Sequence, residues 1–286
     1  MDTELLRTFL EVTKTRHFGR AADNLFLTQS AVSFRIRQLE TQLGNDLFSR
    51  QRGNVHLTAA GERLQPYAEA ILQTWGRAKQ DVALSDSHNQ QVTIGASSLF
   101  WEFDGISDWI SRIYQNVEGL ALRLESVPRQ SLAKQLLDKS IDVAITSDPP
   151  KIEHLHVTKV RDYQLQLVTN FPDCAMDQVK ARPLVYLDWG TRFSLEHSRI
   201  TELQKTPIMH THSSKMAVEF LINNNAVGFL PSPVVASSVQ EGLLFPVEGA
   251  PVMEQSLYLV WREDTEKLEM LEAMLAVPFT QIIQSV

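Results

Sequence analysis

Residues 18–43, FGRAADNLFLTQSAVSFRIRQLETQL, constrain the fold of this chain more tightly than any other stretch. Val32, Ile36, Leu39 and Leu43 recur at intervals of four, three and four, which sets them on one stripe of a helix. At about 100° per residue, Ser30, Ser33, Phe34 and Arg37 fall on the opposite side. Thr28 stands where an N-cap belongs, its hydroxyl placed to accept from a first-turn N–H. Ahead of it, Ala21, Ala22 and Leu25 offer the small, apolar surface of a preceding helix, and Leu27 plugs the turn. Two helices crossing over a short turn make a helix-turn-helix, whose second helix enters a DNA major groove. On spacing alone an ordinary helical hairpin is an equal reading.

The next segment separates the two readings. LGNDLFSRQRGNVHLTAAGERL predicts a helix end at Gly44, then Leu47 and Phe48 leading into a hairpin with its tip at Gly53 and Asn54. Arg50 and Arg52 flank that tip, Val55 and Leu57 alternate on the return strand, and Thr58 caps a new helix. A basic two-stranded wing beside such a helix reaches for backbone phosphates or the adjacent minor groove. Residues 3–15 read as a supporting helix with Leu6, Phe9, Leu10 and Thr13 turned inward, Asp2 or Thr3 capping it, and Glu4 suiting its positive end.

From Leu6 to Leu64 the chain resembles the LysR-type transcriptional regulators, with FGRAADNLFLTQSAVSFRIRQLE, LGNDLFSR and LTAAGERL in that family's order and spacing. The resemblance implies an α/β protein with a winged helix-turn-helix, a long linker helix and a C-terminal effector domain. That domain would have two Rossmann-like subdomains, like a type 2 periplasmic binding protein. The resemblance further implies DNA contacts at Gln29, Ser30, Ser33 and Arg35, with Arg52 where the wing meets phosphates. Phe34 departs from the polar or basic residue of many relatives; an aromatic there packs on a thymine methyl but makes no hydrogen bond to a base. Arg37 points outward toward a phosphate or a guanine, and Arg35 and Arg37 are expected to divide base and backbone work. Within the family, the likeness points to a regulator of a flagellar master operon.

A formal net charge of −7 argues by itself against a nucleic-acid binder. Its distribution reverses the argument. Between Lys14 and Arg52 stand seven basic residues and three acids, so the acid is concentrated elsewhere. A basic head on an acidic body is the charge layout of a DNA-binding domain joined to a sensor. Cys174 is the only cysteine, which excludes a disulfide within one chain, and no Cys/His cluster has zinc spacing. No apolar run is long enough to cross a membrane, and MDTELLRTFLEV is acidic and amphipathic rather than a signal peptide. The expected location is the cytoplasm.

From Thr58 to about Ser85 one long helix is predicted. Leu64, Ala68, Ile71, Trp75, Ala78 and Val82 form a heptad seam along it, expected to pair with the same helix of a second chain. Pro66 is placed in its second turn, where a missing N–H costs little. SDSHNQQ, residues 85–91, reads as the hinge. Beyond it strand-like and helix-like runs alternate: VTIGA, then one helix through SLFWEFDGISDWISRIYQ, then LALRLESV, RQSLAKQLLDKS and DVAIT. LQLVTN, PLVYLDW, TPIMHTH, KMAVEFLINNN, VGFLP and SLYLVW follow, before a terminal helix from about Glu266 to Gln284. This alternation indicates parallel sheets flanked by helices. The expected division is 1–58 for the DNA-binding head, 59–90 for linker helix and hinge, and 91–286 for the effector domain. Within the last, subdomain I takes 91–161 with 254–286, and subdomain II takes 162–253.

Open parallel sheets bind ligands beyond the carboxyl ends of their strands. Those ends offer Ser97 and Ser98, Gln130 and Ser131, Thr146, and Thr211 with His212, hydroxyls and amides that suit a small organic anion. His212 alone among them could bring pH sensitivity. Trp101 reads equally as cleft wall or core. Asp142, Asp148 and the scattered histidines lack nucleophile–base spacing and no glycine-rich phosphate loop precedes a helix, so neither enzyme nor cofactor is expected. The expected partners are operator duplex DNA, a small-molecule effector, a second or fourth copy of the chain, and RNA polymerase at the promoter. The rival reading is a small-molecule binding protein whose head serves dimerisation only.

Overall fold

The computed structural model describes residues 2–51, 54–82, 90–103 and 105–279. The chain divides into two compact units, Met1–Leu84 and Ser85–Val286, and each builds its own core.

In the first unit α1 (Thr3–Thr15) is capped by Asp2, whose carboxylate accepts the Glu4 N–H at 2.9 Å. It buries Leu5, Leu6, Phe9 and Val12. His17 caps α2 (Phe18–Leu25) through Nδ1, and α2 ends at Phe26 in the left-handed conformation. Thr28 caps α3 (Gln29–Leu43) by accepting the Ala31 N–H, and Gly44 closes it at φ +68°. Val32, Ile36 and Leu39 are buried as the spacing predicts. Leu43 is not: at the last turn the stripe has passed the edge of the head, and its side chain is exposed. The Glu40 carboxylate accepts the Leu47 N–H at 2.8 Å and so ties α3 to the wing. There β1 (Phe48–Gln51) pairs antiparallel with β2 (Asn54–Leu57). Phe48 packs its ring 5.4 Å from Phe9 and 6.1 Å from Phe18.

Thr58 caps α4 (Ala59–Val82) by accepting the Gly61 N–H at 3.1 Å, and donates to the Asp46 carbonyl at 2.6 Å. A β-carbon at Gly61 would run into the Leu47 carbonyl, so only glycine lets this first turn seat against the wing. Pro66 lies beyond the four unpaired N–H groups at the start of α4, so its missing N–H costs more than its expected place in the second turn implied. The helix continues through it at the loss of one interior hydrogen bond.

The second unit carries one sheet of order β4-β3-β5-β11-β6-β9-β7-β8, with β10 on β6. Its first lobe runs β3 (Gln90–Ala96), α5 (Ser98–Trp101), α6 (Ile106–Asn116), β4 (Leu120–Ser126), α7 (Arg129–Leu137) and β5 (Val143–Thr146). The long β6 (Leu155–Thr169) then crosses to a second lobe of β7 (Leu184–Tyr186), α8 (Thr191–His197), β8 (Met209–His210), α9 (Ser214–Asn223), β9 (Val227–Pro231), α10 (Ser232–Gln240) and β10 (Phe245–Pro246). Finally β11 (Met253–Arg262) returns beside β6, and α11 (Leu268–Ala276) follows. Strands are parallel within each lobe, β3 with β4 and β5, β7 with β8 and β9, and antiparallel where β6 and β11 cross.

Five expectations change in this unit. The helix read through SLFWEFDGISDWISRIYQ is two, because Gly105 at φ +90° caps α6 afresh. LQLVTN is the tail of β6, and TPIMHTH shrinks to the two residues of β8. Residues 90 and 91 of the expected hinge already belong to β3, and 83–89 lie outside the described residues. The terminal helix is described as Leu268–Ala276, with 280–286 outside the described residues. Trp109 donates its indole N–H to the Val277 carbonyl at 3.0 Å, tying this C-terminal segment to α6.

Candidate DNA-reading face and effector cleft

On the outward side of α3, Gln29, Ser30, Phe34 and Arg37 are exposed and Ser33 is half-buried. Phe34 keeps 66% of its surface in solvent with the buried stripe directly opposite. Ser30 shares a 2.9 Å hydroxyl contact with Thr28, and Arg37 Nε donates to the Ser33 carbonyl at 3.4 Å. Arg35 turns elsewhere. Its Nη1 lies 3.4 Å from Glu4 Oε2 and 3.3 Å from Thr8 Oγ1, so it braces α3 against α1 while Arg37 faces out. Arg50 sits on β1, and Arg52 lies outside the described residues. Sequence reasoning passed over Phe26, 95% exposed at φ +55° in the turn before α3. Its position as the left-handed C-cap of α2 could not be told from spacing.

The heptad seam splits. Ala68 is fully buried and Leu64 packs on the head's own core, a correction to their placement on a surface for a second chain. The first half of α4 is consumed by α1 because both belong to one small core. Ile71 packs on that core too but turns part of its side chain to solvent, and beyond it the stripe loses its cover. Ile71, Trp75 and Ala78, with Asp2, Thr3, Ala70 and Thr74, line an open groove of about 540 Å³, and Val82 beyond it is exposed.

In the second unit the predicted residues fall at the carboxyl ends of β3, β5 and β8 and at the start of α7, but several stand one step behind the contacts that join the lobes. Thr146 is buried and accepts the Asp148 N–H; Thr211 is buried and accepts the Ser213 N–H, both at 3.1 Å. Each bends the chain after its strand. Ser97 precedes α5 without a side-chain capping bond, and Ser98, Gln130 and His212 are exposed while Ser131 is half-buried. Trp101 is half-buried and donates to the Glu125 carbonyl, which favours core over cleft wall.

The groups that span the cleft are others. Arg129 reaches from α7 with Nη1 2.7 Å from Asp148 and 3.0 Å from Thr191, and with Nη2 3.1 Å from Asp188. Asp148 accepts both the N–H and the hydroxyl of Thr191. Ser147 donates to the Trp189 carbonyl at 2.7 Å. Gly190 is held at φ +121°, and a β-carbon there would stand 2.8 Å from Ser147 Oγ. On the opposite wall, Glu102 of the first lobe accepts from Ser213 Oγ at 2.8 Å and from the Lys215 N–H at 3.0 Å, at the start of α9. Tyr163 of β6 lies buried between, its ring 4.9 Å from Phe103. Burial pushes its phenol well up, and the Ser147 hydroxyl pulls it part of the way back. These partners lie 19 to 113 positions apart in the chain, beyond the reach of any local pattern. In the second lobe, burial beside Tyr186, Phe193 and Phe229 lowers the His197 pKa.

Residues 3–62 match the family model described as bacterial regulatory helix-turn-helix protein, lysR family, and residues 85–277 match that of the LysR substrate binding domain. The chain belongs to the LysR family. It is 39% identical to the HTH-type transcriptional regulator HdfR of Yersinia enterocolitica, over all of this chain and 99% of that one. The HdfR of Yersinia pestis strain Pestoides F is equally similar over the same shares. Among solved structures, full-length CbnR complexed with its target DNA superimposes with a TM-score of 0.72 at 16% identity, over 96% of this chain and 98% of that one. DarR of Vibrio fischeri in complex with DNA gives 0.58 at 18% identity, over 97% and 98%. This LysR-family chain is a DNA-binding transcriptional regulator with a ligand-binding domain, and the reading of its head as a dimerisation device alone gives way. Among the described residues no helix is long and apolar enough to cross a membrane.

Proposed function

We propose that the head reads a duplex operator through Gln29, Ser30, Ser33, Phe34 and Arg37, with Arg35 holding α3 to α1 and Arg50 and Arg52 of the wing meeting phosphates. The observation that carries this is the division of α3 into a buried apolar side and an exposed polar one that ends in an aromatic and an arginine. Phe34 contacts a thymine methyl, and Arg37 takes a guanine or a phosphate. Two heads, paired along Ile71, Trp75, Ala78 and Val82, read an interrupted palindrome, because two-fold protein symmetry is mirrored in the half-sites. Two such dimers assemble on longer operators.

The proposed division is 1–58 for the head, 59–90 for the linker helix and hinge and 91–286 for the sensor, whose subdomains are 91–161 with 254–286, and 162–253. A small molecule in the cleft of the sensor shifts how dimers pair, and with it DNA bending or polymerase access. Such a molecule acts only through its different affinities for the two arrangements. The protein works in the cytoplasm and catalyses no reaction. The likeness to HdfR supports the flagellar master operon as a target. Sequencing the genomic fragments that the purified protein retains tests these points together. An interrupted palindrome upstream of flagellar genes is the expected result; retained fragments without a shared half-site would overturn the reading.

A further inference from the structure

Polar groups that line a ligand cleft have two sets of partners, water when the cleft is empty and the ligand when it is filled. In this chain they have a third set, each other. One wall is bridged by Glu102 to Ser213 and Lys215, and the other by Arg129 and Asp148 to Asp188 and Thr191. Every bond named crosses between lobes or supports one that does, and Arg129, Asp148 and Asp188 each keep about a third of their surface in solvent.

We propose that these two bridges form a latch that holds the cleft shut with no small molecule in it, and that both walls release together. The lobes share the strands β6 and β11, and Tyr163 is buried on the first of these. Each lobe has its own strands on one side of that shared pair, and both bridges join the same two lobes, so parting the lobes strains both bridges. Close approach at Gly190, where Ser147 leaves no room for a β-carbon, fits a closed state that the backbone itself accommodates.

The latch changes what an effector must do, on the reading that this cleft is the sensor. The start of α9, where an effector carboxylate would bind, already holds the carboxylate of Glu102. An incoming anion competes with a tethered one whose effective concentration is on the order of millimolar or more. Ligands therefore act by replacing the latch, and the closed arrangement is the resting one.

Hydrogen exchange on the full-length protein, without added small molecules, reads the latch through two amides, Thr191 N–H to Asp148 and Lys215 N–H to Glu102. Both are protected in the unmutated protein. Glu102→Gln speeds Thr191 exchange about tenfold although Thr191 does not touch Glu102, and Asp148→Asn does the same at Lys215, since each removes a bond to a charged group. If each variant loosens only the amide that it touches, or both amides exchange freely in the unmutated protein, the latch is overturned. Raising salt on the unmutated protein needs no variant: both amides loosen in parallel, and a flat or divergent response contradicts the proposal. The operator footprint, recorded alongside, separates the two readings. Loosened amides with an unchanged footprint leave the latch standing and remove the cleft from control of DNA binding.

Discussion

The outward face of α3 and the cleft of the second unit hold similar polar groups in opposite states. On α3, Gln29, Ser30 and Arg37 lie in solvent, and the bonds of Ser30 and Arg37 among the described residues stay within the helix and its cap. In the cleft, Glu102, Arg129, Asp148 and Asp188 bind one another's lobes across gaps of up to 113 positions. A face that leaves its donors to water is preformed for a partner and loses little conformational freedom on binding. A cleft that satisfies itself must first give up bonds, so its response to a ligand is a difference of two states. On the proposed function, the contrast puts affinity in the head and switching in the body.

The largest effect that would break this comparison comes from the head's core. Phe9→Ala removes a fully buried ring that packs on Phe48, and should cost roughly 3–5 kcal/mol. Chemical denaturation followed on both units should show the head melting early and the body unchanged; a common shift of both would deny that they are separate cores. Next comes Trp75→Asp, which puts a charge in the groove left open on α4. Burial of an unpaired charge should weaken the dimer by several kcal/mol, and light scattering that finds the same mass at the same concentration would count against the pairing surface.

The arginine pair sharpens the comparison within α3 itself. Arg37→Ala should lower operator affinity by about 1–3 kcal/mol in gel shifts. Arg35→Ala should act mainly on the head's stability, by about 1 kcal/mol or less, as loss of a partly exposed ion pair with Glu4 does. The reverse order of effects would return Arg35 to the groove.

Much of the head was legible because its determinants are local. Thr28, Gly44 and Thr58 mark helix ends through bonds to residues three or four away, and the stripe of Val32, Ile36 and Leu39 is set by helical period alone. Arg35 was misjudged because its partners Glu4 and Thr8 come from another helix. Leu64 and Ala68 carry the same heptad signal as Trp75, and only the length of α1 decides which of them is covered. In the body, only the LQLVTN end of β6 reads as a strand, because residues 156–162 carry no buried side chain and so no alternating apolar signal. The strand-end rule picks out Thr146 and Thr211, but what it marks is the turn after each strand and not the side chain that reaches across to the other lobe.

The smallest expected effect is one of pH. His197 has its pKa lowered by burial from the ordinary value of 6.5. The unfolded chain then binds this proton more readily than the folded one, so stability rises with pH between the lowered value and 6.5 and is lost on acidification. His197→Phe should flatten that part of the pH profile of thermal unfolding while leaving DNA affinity at neutral pH unaltered. An unchanged profile would place the acid sensitivity elsewhere.

The most direct test of the head as a DNA reader is the affinity of the intact protein for its retained operator and for a scrambled duplex, measured across a series of salt concentrations. The account predicts a plot of log affinity against log salt that falls steeply, by about 0.9 for each phosphate neutralised, and operator binding that stays tighter than scrambled binding throughout. A flat line, or equal affinity for the two duplexes at every salt concentration, would contradict it.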